Sequence, residues 1–287
     1  MARMFFFSLI ALFFFACDDS SDTDTSTPMT PELAKQMLNV PYGEDPAQTM
    51  DIYLPADRST DRTKVFVLVH GGGWKEGDKS DLNFLVVYLK TYFPQHAIVN
   101  LNYRLGTIEK IGYPRQIQDL QAAIAHMNER QKEYNLSARY AMIGVSAGAH
   151  LSMLYSYRHN QAGQVKAVCS MVGPSDFSDP NYHGNDLFAT GLRYFVGDYP
   201  TYDSNPVLYN EISPSRYISV SSPKTILLYG SQDVIVPESQ GEILHQRLNQ
   251  KRVYNEYHEF NVGHVGWTVE QLADMQAKMT AFFSAHF

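Results

Sequence analysis

Three side chains far apart in the chain have the chemistry of an acyl-transfer site: Ser146, Asp233 and His264. Ser146 lies in Ile143-Gly144-Val145-Ser146-Ala147-Gly148-Ala149-His150, where an apolar run meets a Gly-x-Ser-x-Gly turn and then a helix start. So sharp a strand-to-helix turn leaves no room for side chains at the flanking glycines. It lifts the serine hydroxyl clear of the sheet, at the positive end of the next helix. A serine hydroxyl is a poor nucleophile at neutral pH and needs a base within hydrogen-bond reach. Histidine suits because its pKa lies near neutrality. Of the ten histidines, His264 lies in the glycine-flanked loop Asn261-Val262-Gly263-His264-Val265-Gly266-Trp267, whereas His258 falls in an expected strand and His245 and His286 in expected helices. The imidazolium that forms needs a carboxylate to orient it. Asp233, in Gly230-Ser231-Gln232-Asp233-Val234-Ile235-Val236-Pro237, follows an expected strand end. The alternative for Asp233 is a turn aspartate capping the helix near Pro237.

Attack on a carbonyl makes a negative oxygen, and donors must wait where it forms. The amide of Ala147, directly after the serine, is one. Gly72 and Gly73 in His70-Gly71-Gly72-Gly73-Trp74 are candidates for the second, because glycine lets the backbone approach a substrate closely. The amide of Trp74 stays open as an alternative. His70 reads as a brace for this loop rather than a proton carrier. No residues have metal-ligand spacing, and this chemistry requires no cofactor.

These residues meet only if the right elements position them. Residues 36–40 and 49–54 read as antiparallel strands around Gly43-Glu44-Asp45-Pro46. Residues 64–70, 97–101, 140–143, 165–172 and 225–230 are apolar runs suited to strands covered on both faces. Helical spacing occupies 81–93, a long segment opened by Tyr113-Pro114 with Ile117, Leu120, Ile124 and Met127 on one stripe, 147–155, 237–248 and 268–283. Val253–Phe260 alternates and is polar enough for an edge. This order implies an α/β fold, a mostly parallel central sheet with helices on both faces. Ligands then lie at the carboxyl ends of the strands. From Gly173 to Pro214 the alternation lapses, and an irregular lid over about 174–214 is expected. Its aromatics (Tyr182, Phe188, Tyr194, Phe195, Tyr199, Tyr202, Tyr209) have two readings, the lid's own core or stacking on sugar or phenol rings.

With 44% hydrophobic and 18% charged residues, the 287-residue chain can bury a large core. A net charge of −7 without a basic cluster argues against a nucleic-acid partner. Two cysteines rule out a disulfide framework. Arg3 precedes an apolar run from Met4 to Ala16, too short to span a bilayer and built like a secretory signal. Phe14-Phe15-Ala16-Cys17 resembles the lipobox of bacterial lipoproteins, although Phe14 stands where Leu is usual. That resemblance implies lipidation at Cys17, a membrane partner through the lipid anchor, and a signal peptide over residues 1–17. The acidic stretch 18–30 is an unstructured tether resembling surface-export signals of Gram-negative bacteria, and 31–287 forms the folded domain. A simply cleaved secretion signal is the alternative. Cys169 is expected as a buried apolar side chain.

Taken together, His70–Trp74, Gly77-Asp78-Lys79, Asn102-Tyr103-Arg104-Leu105, Gly144–Gly148, Gly230–Asp233 and Gly263-His264 resemble the α/β-hydrolase esterases. The nearest branch is the carboxylesterases close to bacterial feruloyl and acetyl-xylan esterases, with hormone-sensitive-lipase-like esterases and kynurenine formamidases as cousins. Asp51-Ile52-Tyr53-Leu54-Pro55 fits the start of that branch, and the likeness runs from about residue 40 to the C-terminus. Its usual Ser-Ala-Gly-Gly is Ser146-Ala147-Gly148-Ala149 here, one methyl group more. The resemblance implies a serine carboxylesterase acting on short acyl or aryl esters, as small molecules or on plant polysaccharide. The lipobox resemblance implies export to the outer membrane or cell surface of a Gram-negative bacterium, with a periplasm-facing or secreted protein as alternatives. An amidase, a peptidase or a lipase on the same triad, and a glycan-binding lipoprotein without turnover, are the competing expectations. Oligomeric state is not legible.

Overall fold

The computed structural model describes residues 32–182, 184–198 and 202–287. The expected lipidation site Cys17, signal peptide and acidic tether lie outside the described residues. In chain order the elements are β1 (Lys35–Pro41), β2 (Thr49–Leu54), β3 (Val65–Val69), α1 (Asn83–Tyr92), β4 (Ala97–Leu101), α2 (Arg115–Glu129) and β5 (Tyr140–Val145). Then follow α3 (Ala147–Leu154), β6 (Val165–Met171), α4 (Asp186–Val196), α5 (Pro206–Ile212), β7 (Lys224–Gly230), α6 (Ser239–Gln250), β8 (Asn255–Phe260) and α7 (Val269–His286).

The strands form one sheet in the order β1-β2-β4-β3-β5-β6-β7-β8. β1–β2 and β2–β4 are antiparallel and every later pair is parallel. The central strands β3 and β4 are buried at every residue, which is why they read as unbroken apolar runs. Their side chains alternate between two cores. Val65, Val67 and Val69 face α2, α3 and α6 through Leu120, Leu151 and Leu244. Phe66 and Leu68 face α1 and α7 through Leu85, Met279 and Phe282. Cys169 is fully buried, as a small apolar side chain would be. No helix among the described residues is long and apolar enough to cross a membrane.

The lid departs from expectation. It is not irregular but carries two capped helices, α4 and α5. Asn185 caps α4 by accepting from the Phe188 amide, and Asn205 caps α5 by accepting from the Leu208 amide, with Pro206 in the first turn. The sequence signals were the Asn-Asp and Asn-Pro pairs that open each helix, masked by the density of Gly, Pro and Tyr around them. Phe188, Phe195 and Tyr209 are buried with Phe177 and Trp74 in one aromatic core, so these residues pack the lid itself.

Candidate active site

Ser146, Asp233, His264 and the glycine loop all follow carboxyl ends of strands: β5, β7, β8 and β3 respectively. Ser146 occupies the turn at φ 53°, ψ −119°, a conformation costly for a side-chain-bearing residue. It is held from both sides. Its amide donates to the Met171 carbonyl at 2.8 Å, and its carbonyl accepts from the His150 amide at 3.0 Å. The flanking glycines are required by space. A β-carbon at Gly148 would lie 2.1 Å from the Val69 carbonyl oxygen, and one at Gly144 would lie 2.4 Å from the Gly148 oxygen.

The three predicted residues converge. Ser146 Oγ lies 2.9 Å from His264 Nε2, and His264 Nδ1 lies 2.6 Å from Asp233 Oδ2. A carboxylate can only accept, so Nδ1 carries the proton and Nε2 presents its lone pair to the serine hydroxyl. The other Asp233 oxygen, Oδ1, accepts from the amides of Ile235 and Val236, each at 2.8 Å. Asp233 is therefore a turn aspartate as well, one oxygen for each task, but it does not cap the following helix: α6 starts behind Glu238 with no side-chain cap. The Asp233 side chain is 1% exposed and that of His264 13%, so the carboxylate sits in a partly dry pocket with the imidazole at its mouth.

Gly72, Gly73 and Trp74 follow one another at positive φ and curl the loop. Among the described residues nothing in the protein accepts from the amides of Gly72, Gly73 or Ala147, which leaves these donors available to a ligand. The loop is anchored by its ends. His70 is buried, stacked on Tyr103 at 4.3 Å, with Nδ1 2.7 Å from the Gly71 carbonyl. Burial holds its pKa below the ordinary histidine value, as a neutral brace requires. Tyr103 Oη donates to the His70 carbonyl at 2.9 Å. Asn102 Nδ2 donates to Asp78 at 2.7 Å, and Arg104 binds Asp119 with Nε at 2.9 Å. The motifs around residues 77–79 and 102–105 are thus the frame of the glycine loop.

Several contributors were not singled out in the sequence. The Trp74 indole donates to His150 Nδ1 at 3.1 Å, and His150 Nε2, which must then carry the proton, meets the Ile212 carbonyl at 2.8 Å. His150 thereby joins the glycine loop, α3 and α5. Burial pushes its pKa down to about 4, against the opposing pull of the Ile212 carbonyl. Asp119 is a buried acid on an amphipathic helix and takes its meaning from Arg104 and Gln48. A cavity of about 320 Å³ opens within the lid against Tyr182, Asn185, Phe188, Leu192 and Tyr202.

Comparison with known proteins places these features in a family. The BD-FAE family model matches residues 50–248, a span that includes Ser146 and Asp233 and stops before His264. The chain is similar to esterase LipC of Mycobacterium tuberculosis, 26% identical over 219 residues covering 72% of this chain and 53% of that protein. It is also similar to kynurenine formamidase of Salmo salar, 30% identical over 215 residues covering 73% of this chain and 64% of the relative. The chain thus spans between about half and two thirds of the length of these curated relatives. Among solved structures, a truncated carbohydrate esterase from gut microbiota superposes with a TM-score of 0.68 at 20% identity, covering 86% of this chain and 95% of the other. At that identity the likeness speaks for the fold.

Proposed function

The chain belongs to the BD-FAE family of α/β-hydrolase esterases, and from that premise we propose that it is a serine carboxylesterase working through Ser146, His264 and Asp233. Ser146 Oγ attacks the ester carbonyl carbon while its proton passes to His264 Nε2, and Asp233 holds the imidazolium. The carbonyl oxygen takes the negative charge and accepts from the Ala147 amide and from an amide of the Gly72-Gly73 turn. The tetrahedral intermediate collapses, the alcohol leaves with the proton from His264, and the acyl group stays on Ser146. Water, deprotonated by His264, then releases the acid and restores the serine. One ester and one water become one acid and one alcohol.

The observation that carries this reading is the unbroken contact chain from Ser146 Oγ through His264 to Asp233, at 2.9 and 2.6 Å. The test is hydrolysis of p-nitrophenyl acetate by wild type and Ser146→Ala. Loss of turnover in the variant supports it; equal rates leave a glycan-binding protein on a hydrolase scaffold.

For substrate we propose short acyl or aryl esters, including those on plant polysaccharide. Support comes from a structural neighbour described as a carbohydrate esterase and from the aromatic cavity in the lid. A panel of acetate, butyrate, octanoate and ferulate esters tests this; rates rising steeply with chain length would favour a lipase. The formamidase relative favours a second reading, hydrolysis of an aryl formamide by the same steps. Comparing an aryl formamide with the matching aryl formate ester separates the two.

We also propose export and lipid anchoring through Cys17, on the strength of the apolar run from Met4 to Ala16 and the acidic stretch after the cysteine. Incorporation of a labelled lipid precursor into wild type and not into Cys17→Ala is the expected result.

A further inference from the structure

We propose that Asn185 is a positioning residue that couples the lid to the catalytic acid through two peptide groups. The inference rests on the reading of Ser146, His264 and Asp233 as a triad.

Asn185 uses both ends of its side-chain amide. Its oxygen accepts from the Phe188 amide at 3.0 Å and so caps α4. Its nitrogen donates to the carbonyls of Val234 at 2.9 Å and Ile235 at 3.2 Å. The Val234 carbonyl shares a planar peptide with the Ile235 N–H, and the Ile235 carbonyl shares the next with the Val236 N–H. Those two N–H groups are the ones that donate to Asp233 Oδ1, each at 2.8 Å. Each peptide that grips the carboxylate is therefore gripped at its other end by the same Asn185 amide. Donation to a carbonyl polarises the peptide and strengthens its N–H as a donor, and it also fixes the tilt of the peptide plane. Asp233 is thus aimed at His264 by a residue whose hydrogen bonds go to the peptide groups and not to either side chain.

The residue type fits this dual task. Ser, Thr, Asp and Asn all cap helices by accepting, but of these only Asn also carries an NH2 with two donor hydrogens. The attachment is reinforced on the same side, where Asn181 donates to Ser239 Oγ at 3.2 Å. Further along α4, Gly191 packs against Gly73 of the glycine loop, its Cα 3.8 Å from where a β-carbon at 73 would stand. One helix therefore bears on both the acid and the proposed oxyanion donors.

The test compares Asn185→Asp, which keeps a capping acceptor and has no donor when ionised, and Asn185→Ser, which keeps a capping acceptor but replaces the NH2 with a single hydroxyl hydrogen on a shorter side chain, with Asn205→Ser, which alters the cap of α5. Steady-state hydrolysis of p-nitrophenyl acetate and the downfield proton signal of the His264 Nδ1–H are read on each full-length protein. Both Asn185 variants are expected to lose about five- to tenfold in kcat with KM changed less than about twofold, and to shift the imidazole signal. Asn205→Ser is expected to change neither. Wild-type kcat and an unmoved signal in the Asn185 variants would overturn the proposal, as would an equal loss in Asn205→Ser. Should Asn185→Ser not fold, Asn185→Asp, of the same shape, carries the decision. If wild type and Ser146→Ala hydrolyse the ester equally, the triad reading has failed, and the proton signal still reports whether Asn185 orders the acid loop.

Discussion

Ala149 fills the space that Gly173 leaves open: a β-carbon at residue 173 would stand 2.6 Å from the Ala149 β-carbon and 2.7 Å from the Ser170 hydroxyl. The extra methyl after the serine turn is thus accommodated across the α3–β6 contact. Gly173→Ala should overpack this contact and cost about 1–3 kcal/mol, read as a fall of a few degrees in the thermal midpoint. Adding Ala149→Gly should recover part of the loss. Strict additivity of the two changes would show that they do not share the space.

Asp233→Asn separates charge and tautomer from shape. The amides of Ile235 and Val236 select which end of the new side chain faces them, because as donors they can pair only with its oxygen. The NH2 then faces His264 Nδ1, so the ring must move its proton to Nε2, where it can no longer accept from Ser146. A fall of about 10⁴ in kcat with little change in thermal midpoint is expected. Stopped turnover together with unfolding, or a loss under tenfold, would contradict this account.

Asp119 is fully buried beneath Arg104, whose side chain is 22% exposed. Removing the carboxylate strands a cation and also frees the Gln48 amide, which donates to it at 2.8 Å. Asp119→Ala should destabilise by about 3–5 kcal/mol, measured as a lowered urea midpoint at unchanged slope. Double substitution of Asp119 and Arg104 by apolar residues should cost less than Asp119→Ala alone.

Acid sensitivity should come in part from buried histidines. His96 and His150 both fall from an ordinary 6.5 to about 4 because burial disfavours the charged ring. Their unfolded forms take up protons first, so the stability they permit is complete above about pH 6.5 and is lost as pH falls toward about 4. Neither ring nitrogen of His96 has a partner among the described residues, and the ring packs 5.3 Å from Phe66 and 5.6 Å from Phe287. His96→Phe should therefore flatten the fall of thermal midpoint between pH 7 and 5. His150→Phe should instead lower stability at every pH, because it abandons Trp74 and the Ile212 carbonyl. Parallel curves for His96→Phe and wild type would refute the assignment.

The strand runs were legible because buried parallel strands admit little but apolar residues, as in Val65–Val69. The serine turn was legible because its glycines answer to backbone clashes a few residues away, which leave a fixed spacing. The lid helices were not, although Phe188, Leu192, Phe195 and Val196 form a helical stripe on α4: the Gly, Pro and Tyr around them masked it, and its packing partner Trp74 is distant in sequence. His150 and Asp119 were equally silent: a buried histidine and an acid on a helix acquire meaning from partners 76 and 15 residues away.

By itself the sequence determined which side chains have the chemistry and, outside the lid, which segments are strands and helices, because residue type and local spacing carry that information. The meeting of Ser146, His264 and Asp233, the division of Asp233 between a turn and a base, and the double grip of Asn185 were decided by the tertiary structure. Such contacts depend on angstrom-level placement of loops that follow different strands. Only the register of the sheet and the packing of the helices on its two faces fix where those loops end.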